Sequence, residues 1–562
     1  MIEMLKSQRL FTHDEYLSPR AAFKSMGYGD ADFKKPIIGI ANSFTELVPG
    51  HANLRELADW VKRGIYAGGG TAAEFGVLAT CDCLSNGHKG QYFSLPSRDI
   101  IADGIEAVAE ASLLDGLVML GSCDKIIPGM MMAAARLNIP SIILCGGPML
   151  SGLPFDGRCS DFTSLTEAFG MLKAGKITRD DLNLLEDQCG PTCGSCQMIG
   201  TANTMCCLSE VLGLSLPGSA AIPAVYAERK RAAQASGEAI VSLVLRDVRP
   251  DVVITKQSIQ NAIIALNAIG GSTNAVLHLL ALANEIDVQA GEVLGWFEDY
   301  GKTTPLISKI FPASKYTMED FYRSGGIPQV LKELEDSLFK DCMTVSGKTM
   351  GENIESYPYS FKPDRELIKT ADRPFGVGTG VAILRGNLAP DTCVSKPSAI
   401  HPSQQVFTGK ALVFDSEEEA NEAIIAERVK AGGVVVIRYE GPKGAPGMRE
   451  MFSAMKLLYG FGLGTSTAVV TDGRFSGTNN GCFVGHISPE AAEGGPLAIV
   501  QDGDEITIDL PNRALTLHVP DQEIQDRLKK WTPPMPKYTK GHLSRYAKMA
   551  QSASKGGILK LD

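Results

Sequence analysis

The first third of the chain alternates short apolar runs with longer stretches of helical spacing, and this alternation restricts the fold more than any other feature. The runs lie at 36–42, 75–80, 117–120 and 141–144, and the helical stretches at 54–66, 98–114 and 128–137. Strands spaced by helices predict βαβ units and a largely parallel sheet. In such sheets ligands gather where strands end and helices begin. The segments ending at Asn42, Asp82, Cys123 and Gly147 are therefore the first places to look for a site.

From about residue 163 the pattern turns helical, with apolar spacing over 164–174, 201–212, 222–237 and 257–268. Residues 311–368 are rich in turns and charges and give no sharp reading. After Pro374 the character changes to glycine-punctuated strand candidates at 380–384, 411–414, 434–438, 467–471 and 505–509. The expectation is an α/β protein with two domains: 1–368, a mostly parallel sheet with flanking helices, and 369–562, rich in β-structure.

Composition narrows the function. A chain of 562 residues with 44% hydrophobic and 21% charged residues has material for a large core and resembles ordinary globular proteins. The formal net charge of −10 repels phosphate backbones and acidic lipid headgroups, which argues against nucleic-acid and membrane-surface roles. The most apolar region, 113–150, is interrupted by Asp115, Asp124, Lys125 and Arg136, so no membrane span is expected. Residues 1–16 carry charges of both signs and lack the apolar core of a signal peptide, which predicts a cytoplasmic protein.

Thirteen cysteines, an odd number without a secretion signal, argue against a disulfide framework. Cys189, Cys193 and Cys196 fall within CGPTCGSC, where small residues let the backbone bend so that thiolates can converge on one metal centre. A second Cys or His pair at zinc spacing is not evident, so an iron–sulfur cluster is the better reading, with a metal-free turn as the plain alternative. Cys123-Asp124-Lys125 ends a strand candidate, where functional residues concentrate, although an ordinary salt bridge in a surface loop would account for it equally well. Asp82 holds the equivalent place on the preceding strand candidate, between Cys81 and Cys83. In the second half, GPKGAPGMREM (441–451) is a glycine-rich loop leading into a helix expected to begin near Glu450. TDGRFSG (471–477) follows another strand candidate, and both segments also read as plain tight turns. GGSTN (270–274) would present backbone amides at a helix N-terminus, where a carboxylate can bind, or serve only as a capped helix break.

Together these segments resemble the family of dihydroxy-acid, 6-phosphogluconate and sugar-acid dehydratases. The resemblance rests on SLPSRDIIAD (94–103), CDKIIPGMMMA (123–133), CGSCQMIGTANTM (193–205), GGSTNA, RGNLAPD (385–391), GPKGAPGMREM and TDGRFSG, in the family's order and reaching RYAKMAQSAS (545–554). It implies a hydro-lyase that removes water from a 2,3-dihydroxy carboxylic acid to give a 2-keto acid. By that resemblance Asp82, Asp124 and Glu450 are magnesium ligands, and Lys125 is a lysine carbamylated to supply another anionic oxygen. Cys123 and Cys196 match the cluster cysteines, with Cys193 as candidate third ligand and Cys189 nearby. Ser476 matches the base that removes the C2 proton, and His88, Ser272 and Thr273 are candidates for substrate binding. The resemblance also implies a barrel-like second domain and a homodimer, or a dimer of dimers, with the site between domains.

The chain departs from the family pattern in ways that bear on substrate and cluster. Members with a [2Fe–2S] cluster carry a cysteine in a PCN segment where this chain has Gly50, in VPGHANL. That difference, with the additional Cys193, favours a [4Fe–4S] cluster over [2Fe–2S]. The family's DGI-x-MGH is replaced by Asp82-Cys83-Leu84-Ser85-Asn86-Gly87-His88, and the serine motif continues Thr478-Asn479-Asn480. The branched acids of valine and isoleucine synthesis are the favoured substrates, with linear sugar acids as the alternative. CxxxCxxC is also the spacing of radical S-adenosylmethionine enzymes, but Ser195 stands where those usually have an aromatic residue. A non-catalytic iron–sulfur protein would leave the three carboxylates unexplained.

Overall fold

The computed structural model describes residues 5–475, 477 and 481–560. Four parallel strands, β1 (Ile37–Asn42), β2 (Thr71–Gly76), β3 (Gly116–Gly121) and β4 (Ser141–Cys145), form a sheet in the order β2-β1-β3-β4. Alternate residues serve opposite faces. Ile38, Ile40, Val118, Leu120 and Ile142 pack against helices Leu54–Ala67 and Ala227–Leu245. Ile37, Ala41, Leu117, Met119 and Ile143 pack against helices Ser94–Ala111 and Ile126–Leu137. Covering both faces of a parallel sheet requires near-continuous apolar strands, and β1, β3 and β4 are buried throughout. The order reverses between β1 and β3, which opens a crevice at the carboxyl ends of the strands.

Helices Thr201–Val211, Lys256–Ala268 and Asn274–Glu285 extend this core and are almost wholly buried. Beyond them, eight strands close a barrel: β5 (Ala382–Gly386), β6 (Ala389–Ser395), β7 (Val406–Phe414), β8 (Gly433–Ile437), β9 (Ala468–Thr471), β10 (Cys482–Ser488), β11 (Glu505–Asp509) and β12 (Ala514–Leu517). Their order is β6-β10-β9-β8-β7-β11-β12-β5, and closure leaves no unpaired edge. β7, β8, β9 and β10 run parallel, while β5/β6, β6/β10, β7/β11 and β11/β12 are antiparallel. The protein is thus α/β, with a parallel sheet followed by a closed mixed barrel. No helix among the described residues is long and apolar enough to cross a membrane.

Several elements differ from the sequence expectation. The strand expected at 75–80 pairs only as Thr71–Gly76. Phe75, Val77, Ala79 and Cys81 still face the core alternately, so the apolar period outlasts the hydrogen-bonded ladder. The helix expected at 222–237 begins after the Pro223 turn and runs Ala227–Leu245. Strands Ala389–Ser395 and Cys482–Ser488 were not anticipated: Pro390 and Asp391 interrupt the first, and the second carries His486 at positive φ beside an irregular register. Glu450 does not open a helix. It forms a parallel bridge with Arg474, and the helix starts at Ser453.

Candidate active site

The site gathers at the carboxyl ends of β2 and β3. Asp82 begins a single helical turn after β2, and Asp124 and Lys125 follow β3, with Lys125 directly before helix Ile126–Leu137. From the other half of the chain, the Glu450–Arg474 bridge brings a carboxylate and a guanidinium to the same point. One oxygen from each of Asp82, Asp124 and Glu450 lies within 4.8 Å of the others. Lys125 Nζ donates to Asp82 Oδ2 at 2.8 Å and stands 3.7 Å from Asp124. Arg474 reaches Asp82 at 3.2 Å and Glu450 at 2.8 Å. Ser94 donates to the second Asp82 oxygen, and Asn274 reaches Glu450 at 3.4 Å.

Burial and mutual repulsion act on these carboxylates unequally. Burial raises the Asp82 pKa, but Lys125, Arg474 and the Ser94 hydroxyl outweigh it and hold the group well below the usual carboxylate range. Burial raises Asp124, with the Asp82 charge adding to it. Burial pushes Glu450 up to about 8 despite Arg474, again with Asp82 adding. Three carboxylates meet two cations here, and an uncompensated buried negative charge is costly. Oxygen donors of this kind fit a hard divalent cation such as magnesium. Buried polar atoms nearby, both ring nitrogens of His278, Asn274 Oδ1 and His486 Nε2, have no hydrogen-bond partner among the described residues. They leave room for further polar groups in the site.

The thiols form a second group beside the carboxylates. Cys81 and Cys123 share a hydrogen bond that lowers the pKa of Cys81 and, with burial, raises that of Cys123. Cys196 is pushed up by burial and then by its proximity to Cys83 and Cys81. Cys123 is fixed by its backbone N–H, which donates to His51 Nε2 at 3.2 Å, while His51 Nδ1 donates to the Ser43 carbonyl at 2.7 Å. Cys83 and Cys196 line one cavity with Asp82, Asp124 and Glu450, and Phe162, Met198 and Phe452 form an apolar wall. Free thiols converging in this way fit an iron–sulfur group.

The structure brings together Asp82, Asp124, Lys125, Glu450, Cys123 and Cys196, but not every expected residue. Cys193 is half-buried and has Glu56 as its charged neighbour, and Cys189 turns its thiol to the Glu186 carbonyl. His88 is exposed, with Nε2 donating to the Leu84 carbonyl and Nδ1 accepting from the Gly90 amide. Ser272 and Thr273 are buried, and Ser272 shares a hydrogen bond with Thr201, which in turn contacts Asp124. Ser476 lies outside the described residues. Its neighbour Gly477 packs on Gly200, where an added Cβ would meet the Gly200 Cα at 2.7 Å. Arg474 was missed as a site residue although it stands inside TDGRFSG. Cys81 was noted only as a neighbour of Asp82.

Fold and site together define a class of enzyme, and sequence comparison identifies it. Residues 35–353 match the model of the dihydroxy-acid/6-phosphogluconate dehydratase N-terminal region, and 366–557 that of the C-terminal region. The chain belongs to this family of hydro-lyases, whose members use metal cofactors. Among individual proteins it is similar to the dihydroxy-acid dehydratase of Acetivibrio thermocellus, 49% identical over 96% of this chain and 97% of that one. The dihydroxy-acid dehydratases of Ruminiclostridium cellulolyticum and Aquifex aeolicus are 47% and 46% identical over the same shares.

Proposed function

We propose that the protein dehydrates branched 2,3-dihydroxy carboxylic acids to 2-keto acids, the dihydroxy-acid dehydratase step of valine and isoleucine synthesis. The observation that carries this reading is the convergence of Asp82, Asp124 and Glu450 within 4.8 Å, beside a cavity that also exposes Cys196. Asp82, Asp124 and Glu450 would hold magnesium, with Lys125 adding an oxygen as its carbamate, and Cys123 and Cys196 would hold an iron–sulfur cluster, favoured as [4Fe–4S] over [2Fe–2S]. When bound, these groups supply Lewis acidity toward the substrate carboxylate, the C2 oxygen and the departing C3 hydroxyl.

The chain's own residues do the rest. Arg474 clamps Asp82 to Glu450 and so joins residues from both halves of the chain. Ser476, as its alkoxide, takes the C2 proton, the C3 hydroxyl departs as hydroxide and leaves as water with that proton, and the enol tautomerises to the 2-keto acid. Phe162, Met198 and Phe452 offer an apolar wall to a branched alkyl tail, whereas Asn86 and Asn203 on the same cavity are what a polyhydroxy tail would need. Apolar contact favours the branched acids. The reading includes domains 1–368 and 369–562, the second carrying Glu450 and the serine loop, and a cytoplasmic homodimer or dimer of dimers. Anaerobic 2-keto-acid assays with branched and linear dihydroxy acids side by side test it. Higher kcat/KM on the branched acids supports the proposal, and a preference for aldonates would transfer it to the sugar-acid branch.

A further inference from the structure

Among the cysteines, Cys145, Cys206 and Cys207 form one buried group, and Cys81, Cys83, Cys123 and Cys196, with Cys189 within reach of Cys83, form another beside the carboxylates. Only Cys123 and Cys196 were expected there from sequence. Gly50 faces the same spot, since a Cβ built on it would lie 3.0 Å from Cys123 Sγ and 3.5 Å from the Ser195 backbone, but it carries no thiol. Of the other cysteines in the CGPTCGSC run, Cys189 turns its thiol to the Glu186 carbonyl, and the half-buried Cys193 is not among the residues lining the cavity that Cys83 and Cys196 share.

Cys81 is held in place by its own backbone. It caps the turn Asp82–Ser85 in an extended conformation, and its carbonyl accepts from the Ser85 amide at 3.2 Å and the Ser85 hydroxyl at 3.0 Å. Its side chain lies with the core-facing residues of this segment, and its thiol meets that of Cys123. Cys83, two residues on, faces the cavity beside Cys196.

We propose that Cys81 is the third protein ligand of the iron–sulfur cluster, with Cys123 and Cys196, in place of a thiol at position 50 or 193. The inference rests on the cluster reading given above. Three thiols would lose their protons on binding the cluster, so assembly releases protons to solvent. Placing one ligand next to Asp82 in sequence couples the cluster to the carboxylate group through a single backbone step. Cys83 then serves as cavity wall.

The test is iron and acid-labile sulfide content, with visible absorption and electron paramagnetic resonance spectra, of anaerobically reconstituted Cys→Ser variants. Cys81→Ser should lose iron and sulfide as far as Cys123→Ser and Cys196→Ser, while Cys83→Ser and Cys193→Ser match wild type. Adding Gly50→Cys to Cys81→Ser should restore part of the content, because position 50 faces Cys123. Full iron, sulfide and an unaltered spectrum in Cys81→Ser would overturn the assignment, as would loss of the cluster in Cys193→Ser or Cys83→Ser alone. A loss in Cys81→Ser that Gly50→Cys does not relieve, accompanied by a lowered melting temperature of the apoprotein, would assign the effect to folding and also overturn it. Wild-type protein that takes up no iron would instead refute the cluster reading itself.

Discussion

Arg474 shows what sequence spacing leaves out. It lies 392 residues from Asp82, yet its guanidinium joins Asp82 to Glu450, a pairing that no local pattern could announce. Asp82, Asp124 and Lys125 were legible because they sit at strand ends of a parallel sheet, where the fold itself directs ligands. Cys193 shares a tight run with Cys196, but proximity along the chain does not fix where a thiol points, so the choice between Cys193 and Cys81 falls to the Cys→Ser variants described above. Ser476 carries the catalytic proposal at this scale. Ser476→Ala should lower turnover by about 10²–10⁴, the usual loss for a general base, with cluster content unchanged. Turnover close to wild type in such a protein would remove the serine from the mechanism. Lys396 is a different case. Its ammonium is buried without a hydrogen-bond partner among the described residues, and burial lowers its pKa from 10.5 to about 8. Below pH 8 the folded chain holds a charge it disfavours. That penalty is full at pH 7 and disappears as pH rises from 8 toward 10.5. Lys396→Met should therefore stabilise the protein by about 3 kcal/mol at pH 7 and by much less at pH 10, read by denaturant unfolding at both pH values.

At the scale of elements, glycine decides how closely helices approach. Helices Leu54–Ala67 and Ala227–Leu245 cross where Gly64 and Gly237 meet. A Cβ on Gly64 would lie 2.0 Å from the Gln234 carbonyl oxygen, and one on Gly237 would lie 2.2 Å from that of Val61. Gly64→Ala should destabilise by at least about 2 kcal/mol, because a backbone carbonyl cannot move aside as a side-chain tip can. Gly104, exposed on helix Ser94–Ala111 with nothing within 4 Å, supplies the control. Gly104→Ala should stabilise by about 0.5–1 kcal/mol through helix propensity alone. Equal effects of the two substitutions in urea unfolding would contradict the close-crossing account. Strands β1, β3 and β4 of the first sheet were readable because they are buried throughout, whereas β2, half-exposed and carrying Glu74, was expected several residues too late. The barrel was only partly readable, since β6 and β10 contain proline, aspartate, glycine and a positive-φ histidine that break the period-2 pattern.

At the scale of the whole molecule, the two halves of the chain are stitched around the site. Lys456 meets Glu167 at 2.6 Å in a buried pair, Gly170 and Gly460 let their helices touch, and Arg98 donates to the Gly556 and Gly557 carbonyls at 3.0 Å each. These links hold the Glu450–Arg474 bridge against the carboxyl end of the sheet, so neither half alone completes the carboxylate group. This is the level at which sequence was least informative, because joining the halves depends on pairs hundreds of residues apart. The central claim is that this joint site performs a magnesium-dependent dehydration. Its most direct measurement is the rate of 2-keto-acid formation from a branched 2,3-dihydroxy acid by anaerobically reconstituted protein, before and after magnesium is removed. The account predicts turnover that falls to background without magnesium and returns when it is restored. No 2-keto acid from cluster- and magnesium-loaded enzyme, or an undiminished rate without magnesium, would contradict it.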